Sequence, residues 1–95
     1  MDRVEEAITT YEAYLQKDKK DYQAVFNLAH AYMATNQCLE SIEAFNKTLD
    51  QKPDYLEAHL HLSTCHNKLG HNFKAEQHFK VWDSRITKNH LKSIH

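Results

Sequence analysis

At 95 residues, with 13 acidic and 12 basic side chains and a net charge of −1, the chain has room for one domain and no general pull toward nucleic acid or an anionic membrane surface. One glycine and one proline are too few for the turns of a sheet-rich domain, so the composition favours helices. No apolar run reaches the roughly 18 residues that cross a bilayer, and Asp2, Glu5 and Glu6 stand where a signal peptide would be positive.

Residues 3–16 carry Ala7, Ile8, Tyr11, Tyr14 and Leu15 at the three- and four-residue spacing of an amphipathic helix. A second helix is predicted from Tyr22 to about Thr35, with Val25, Leu28, Ala29 and Tyr32 on one stripe. Asp21 is placed to cap its first turn, because a side-chain oxygen there satisfies an orphan N–H. Asn36 stands at its end, where a residue that tolerates the left-handed conformation closes a helix. A third helix is predicted from about Cys38 to Gln51, with Ile42, Phe45 and Leu49 as its stripe and Leu39 beside it. Pro53 stops it. Asp54, with Glu57 three residues on, reads as a capping box for a fourth helix from about Leu56 to Leu69. Gly70 ends that helix as Asn36 ends the second. The fifth starts near Asn72 and carries Ala75, Phe79 and Trp82 on one face. No Gly or Pro follows Gly70, and Ile86, Leu91 and Ile94 extend the apolar positions loosely. This helix is expected to run past Trp82 to about Asn89, with a frayed end.

The same residues also repeat. Ala58, Leu62, Gly70 and Phe79 follow Ala24, Leu28, Asn36 and Phe45 by 34 residues, and Ala75 follows Ser41 by the same step. Ala7, Ile8, Tyr11 and Leu15 precede Ser41, Ile42, Phe45 and Leu49 by 34. A fixed period in this range marks an array of a small unit that cannot bury its apolar face alone. The complete unit reads Val25-x2-Leu28-Ala29-x2-Tyr32, Ser41-x3-Phe45, Pro53. The next reads His59-x2-Leu62-Ser63-x2-His66, Ala75-x3-Phe79, and the leading half offers Ala7-x3-Tyr11.

This pattern resembles the tetratricopeptide repeat, whose signature is W-x2-L-G-x2-Y, then A-x3-F, then P. The resemblance covers roughly residues 3–86. It departs where Val25 and His59 replace the leading aromatic, His66 the tyrosine and Thr87 the proline. It implies an all-α fold, antiparallel helix-turn-helix units stacked as an α-solenoid of about two and a half repeats and five helices. Residues 2–18 would be a half repeat and 22–55 a complete one. Residues 56–86 would be a second, its last helix continuing into 87–95 as a cap. Small residues at Ala29, Ser41, Ser63 and Ala75 are expected to let helices approach, and Tyr32, Phe45 and Phe79 to fill the gaps between them.

By the same resemblance, the first helix of each unit lines a concave groove. Its groove positions are Gln23, Phe26, His30, Met33 and Ala34, then Glu57, Leu60, Thr64, Asn67 and Lys68. Phe26, Met33 and Leu60 are apolar and are expected to face outward, as anchors for a protein or peptide partner. Some family members clamp acidic C-termini of chaperones with basic groove residues. Asn27 matches one clamp position, but Glu57 and His61 stand where cations are needed, so such a clamp is not expected.

His61 and Cys65 are one helical turn apart, with His59 and His66 nearby, a spacing that can share a metal. The register argues otherwise, since His59 and His66 occupy core-aromatic positions and Cys65 a small buried one. No glycine-rich phosphate loop or HExxH motif is present, and a shallow helical groove excludes little water. No catalysis, metal or cofactor is therefore expected. Cys38 and Cys65 are too few for a disulfide framework, which points to a reducing, cytoplasmic setting.

The ends suggest an alternative. Glu5, Glu6 and Glu12 make the start acidic, while Lys74, Lys80, Arg85, Lys88 and Lys92 make the end basic. The leading helix lacks its partner, so a face around Ile8 and Tyr11 is expected to be exposed. Both features fit a homo-oligomer formed by end-to-end association.

Overall fold

A computed structural model describes residues 3–94, with side chains from 3 to 88. Five helices follow in order: α1 (Arg3–Lys17), α2 (Tyr22–Ala34), α3 (Cys38–Gln51), α4 (Leu56–Lys68) and α5 (Asn72–Ile94). The tightest pairs are α2 with α3 and α4 with α5; α1 lies on α2, α3 on α4, and α2 touches α4. This is the stacking that a 34-residue period dictates. The molecule is elongated, 47 × 29 × 22 Å.

The two turns inside the units are built alike. After α2, Gln37 N–H donates to the Tyr32 carbonyl at 2.8 Å and Asn36 N–H to Met33 at 3.1 Å. After α4, His71 N–H donates to His66 at 2.8 Å and Gly70 N–H to Asn67 at 3.1 Å. These are the paired bonds that close a helix through a left-handed residue. Asn36 has φ 65° and Gly70 φ 79°, the positions read from the sequence. A Cβ at Gly70 would meet nothing within 4 Å, so only backbone strain opposes a side chain there. Gly70→Ala should lower stability by about 1 kcal/mol, and Gly70→Asn by less, in urea unfolding.

The core lies where α2, α3 and α4 meet. Phe26, Phe45 and Leu62 pack there with Val25, Ala29, Ala44 and Ala58. Small residues bring the backbones together. The Ser41 hydroxyl donates to the Ala29 carbonyl at 2.8 Å, and the Cys65 thiol donates to Ser41 Oγ at 3.6 Å. Ser41, Ala29 and Cys65 are fully buried, so this short polar chain satisfies groups that water cannot reach.

The helices depart from the sequence expectations in several places. Asp54 and Glu57 form no capping box: Tyr55 occupies the cap of α4 without a side-chain bond, and Asp54 pairs with Lys52 at 3.5 Å. The turn is responsible, since Tyr55 N–H donates to the Lys52 carbonyl and so carries the helix start one residue beyond Asp54. Helix α5 continues to Ile94, beyond Asn89, because nothing after Gly70 breaks it. Ile8 is buried rather than exposed, because α1 turns that residue onto α2 and leaves Tyr11 half-exposed. Phe79, counterpart of the buried Phe45, is 45% exposed and touches Trp82 at 5.6 Å, since no further described helix packs over α5. Asp2, and the side chains of Leu91 and Ile94, lie outside the described residues.

Candidate partner-binding groove

An open groove of about 590 Å³ runs between α1, α2 and α4. Ala7 and Tyr11 of α1 line one wall, with Arg3 and Val4 at its end. Phe26, Asn27, His30, Ala31 and Ala34 of α2 form the floor, and Glu57 and His61 of α4 the other wall. A hollow of about 350 Å³ shares Tyr11 and Asn27 with it and extends it to Tyr14, Asp21 and Gln23.

At that end the Tyr14 hydroxyl donates to Asp21 Oδ2 at 2.8 Å, while Asp21 Oδ1 accepts from the Ala24 N–H at 3.1 Å and caps α2. The Asp21 bond is the chief reason the Tyr14 phenol is pushed up to about 12. The same bond, then the helix N–H, holds the Asp21 carboxyl below its usual value, so a fixed anion marks this end. At the other wall the His61 ring stacks on Phe45 (5.4 Å, 25°) and meets His30 edge-on at 5.1 Å. Burial, then the neighbouring His30, lowers the His61 pKa and so favours the neutral ring.

Of the residues that the sequence assigned to partner contact, Phe26, Asn27, His30, Ala34 and Glu57 line the groove, and Gln23 its extension. Met33 is half-buried against the core. Leu60 is half-buried outside the groove, and Thr64, Asn67 and Lys68 are exposed farther along α4. Thr64 returns its hydroxyl to the Leu60 carbonyl at 3.3 Å.

Phe26 does not face outward. It is 7% exposed, wedged between Tyr55 (4.6 Å), Phe45 (5.5 Å) and His61 (5.8 Å). Tyr55, a turn residue, folds over it, and no helical register reveals that contact. Phe26→Ala would therefore remove core packing, at a cost of about 3–5 kcal/mol, and would not report on binding alone. The lining residues that the groove assignment missed are Arg3, Val4, Ala7, Tyr11, Ala31 and His61. The 34-residue match of Ala7 and Tyr11 to Ser41 and Phe45 was the available signal for two of them.

The groove repeats an occupied seat. Helix α2 rests on Ser41 and Phe45 of α3 and on Tyr55 and His61 at α4. Their counterparts 34 residues earlier are Ala7, Tyr11, Asp21 and Asn27. All four line the groove or its extension.

On the opposite side, a cavity of about 480 Å³ lies among α1, α2 and α3, walled by Glu12, Glu40, Glu43, Lys19 and Lys47. Tyr32 donates to Glu12 across it, and burial followed by that bond pushes its phenol up to about 12. Among the described residues, no three His, Cys, Asp or Glu side chains converge as a metal site, and no helix is long and apolar enough to cross a membrane.

Comparison with known proteins agrees with the geometry. Residues 1–55 and 26–88 each match the tetratricopeptide repeat family. The chain belongs to the tetratricopeptide repeat family. Over 65 residues, 68% of the chain, it is 35% identical to the tetratricopeptide repeat and J domain-containing co-chaperone DNJ1 of Fusarium oxysporum f. sp. lycopersici. It spans 12% of that protein's length. The crystal structure of MamA superposes with TM-score 0.84 at 21% identity, over 99% of this chain and 53% of that one. MamA residues 41–end from Desulfovibrio magneticus RS-1 give TM-score 0.81 at 26% identity, over 86% of this chain and 46% of that one. A tetratricopeptide stack is an interaction scaffold, and this chain is a protein–protein interaction module.

Proposed function

We propose that this tetratricopeptide module takes an amphipathic helix of a partner protein into the groove of α1, α2 and α4. One observation carries the reading: the groove is lined by the 34-residue counterparts of the residues that seat α2. A seat of that shape suits a helix with a large apolar side chain where α2 has Phe26 and a small one where it has Ala29. Its chemistry is not a copy. Asp21 stands for Tyr55 and Asn27 for His61, so the guest helix should bring a cation or donor to the Asp21 end. The two free, buried thiols fit a reducing, cytoplasmic setting.

A labelled peptide of residues 20–36, the α2 sequence itself, is a defined probe. Fluorescence anisotropy should show saturable binding with Kd on the order of 100 µM, since a short peptide must first pay the cost of becoming helical. A flat titration to about 1 mM would remove this reading. An acidic peptide ending Glu-Glu-Val-Asp should not bind, because Glu57 lies in the groove where the clamp needs a cation. Micromolar binding by calorimetry would contradict that expectation.

Self-association is the second reading. Phe73, Phe79, Val81 and Ile86 of α5, with Leu69 before it, are exposed large apolar side chains at one end of the stack. Light scattering across a hundredfold concentration range decides: a mass that rises with concentration supports it, and a constant monomer mass opposes it.

A further inference from the structure

Four of the eight histidines form one ladder across the α4–α5 hairpin. His59 Nδ1 of α4 and His78 Nδ1 of α5 are 3.0 Å apart. His66 Nδ1 of α4 and His71 Nδ1 of the turn are 3.1 Å apart. The His66 and His78 rings stack between these pairs, 5.7 Å apart and 3° from parallel. His66 is 5% exposed, and His59 and His78 are half-buried.

An imidazole–imidazole hydrogen bond needs one ring nitrogen bearing hydrogen and one bare. Each pair meets that condition when neutral, and still meets it with one extra proton. With both rings protonated, two donors and two positive charges face each other at about 3 Å and the bond is lost. The unfolded chain has no such limit.

We propose that this ladder is an acid-sensitive latch, closing the α4–α5 hairpin at neutral pH and releasing α5 as the pH falls from about 6.5 toward 5. The inference rests on the hairpin geometry and is independent of what fills the groove.

The surroundings reinforce it. Burial, then Arg85 of α5, lowers the His59 pKa; burial, then His78, His71 and Lys74, lowers that of His66; burial, then His59, lowers that of His78. On α4, Glu57 acts on His61 and Lys68 on Cys65; on α5, Glu76 is engaged by Lys80 at 3.0 Å. From α3, which packs on another face of α4 through Ser41 and Cys65, Glu40 and Glu43 act on Tyr32. No carboxylate among the described residues is a source of these three shifts. With folded pKa values below 6.5, the unfolded chain binds more protons. Stability is therefore complete above the unfolded value and is lost as the pH falls below it.

The test is urea unfolding of the whole chain at steps from pH 7.5 to 5.0, followed by circular dichroism and by Trp82, the single tryptophan, which lies on α5. The unfolding constant should rise by about 100-fold per pH unit near pH 5.5, the uptake of about two protons. The double variant His59→Asn, His78→Asn can keep an amide hydrogen bond but cannot titrate, and should cut that slope by at least half. An equal slope in the variant, or a wild-type slope below one proton, would overturn the latch. Should the variant not fold, NMR titration of the wild-type imidazoles decides: His59, His66 and His78 titrating below 6.5 supports it, and at or above 6.5 overturns it.

Discussion

Phe45→Ala should destabilise the chain by about 3–5 kcal/mol, while Phe79→Ala, the same position one repeat later, should cost about 1 kcal/mol or less. Sequence gives the two phenylalanines equal standing, but their surroundings differ. Phe45 is fully buried, against Phe26 on one side and the stacked His61 ring on the other. Removing it leaves a cavity bounded by three helices that cannot collapse without moving α2 or α4. Phe79 is nearly half exposed and leans on Trp82 of its own helix, so truncation removes little burial. A domain of this size has about 5–14 kcal/mol in total. Urea midpoints should therefore fall steeply for Phe45→Ala and stay near wild type for Phe79→Ala. Equal losses would mean that α5 is covered in solution, as in an oligomer.

Ala31→Trp should weaken the α2-peptide complex at least tenfold, about 1.4 kcal/mol, while the melting temperature moves by only a few degrees. Ala31 lies on the groove floor, and its counterpart Cys65 is the fully buried residue beneath the seat of α2. An indole at Ala31 projects into the open groove and occupies the space of the guest. Tyr11→Ala should weaken binding as well, since Tyr11 is the counterpart of Phe45 and borders both hollows. Phe79→Ala, at the far end of the stack, should leave affinity unchanged. Anisotropy titrations of the three variants alongside wild type make the comparison.

The helices were legible because their signals are local. Apolar spacing located all five, and Asn36 and Gly70 gave the register without reference to hydrophobicity. The start of α4 was misread because Asp54 and Glu57 offer a capping box that the Tyr55 turn overrides. The groove was legible only in part. Helical position says which way Phe26 points from its own axis, but not that Tyr55, 29 residues later, covers it. The α1 wall was missed because groove positions were counted on the first helix of each unit alone. Ala7 and Tyr11 lie on the second helix of the repeat pattern and line the groove all the same. In the sequence His59 and His66 read singly as core substitutions, with nothing that joins them to His71 or His78. The packing of α5 on α4 brings His59 and His78 to 3.0 Å, and the Gly70 turn brings His66 and His71 to 3.1 Å.

The most direct test of the groove is an amide NMR map of the isotope-labelled chain titrated with the α2 peptide. Shifts at Ala7, Tyr11, Asp21, Asn27 and Ala31, falling together on one binding curve, are the predicted result. Shifts confined to α5 around Phe79 and Ile86, or none at saturating peptide, would contradict the account.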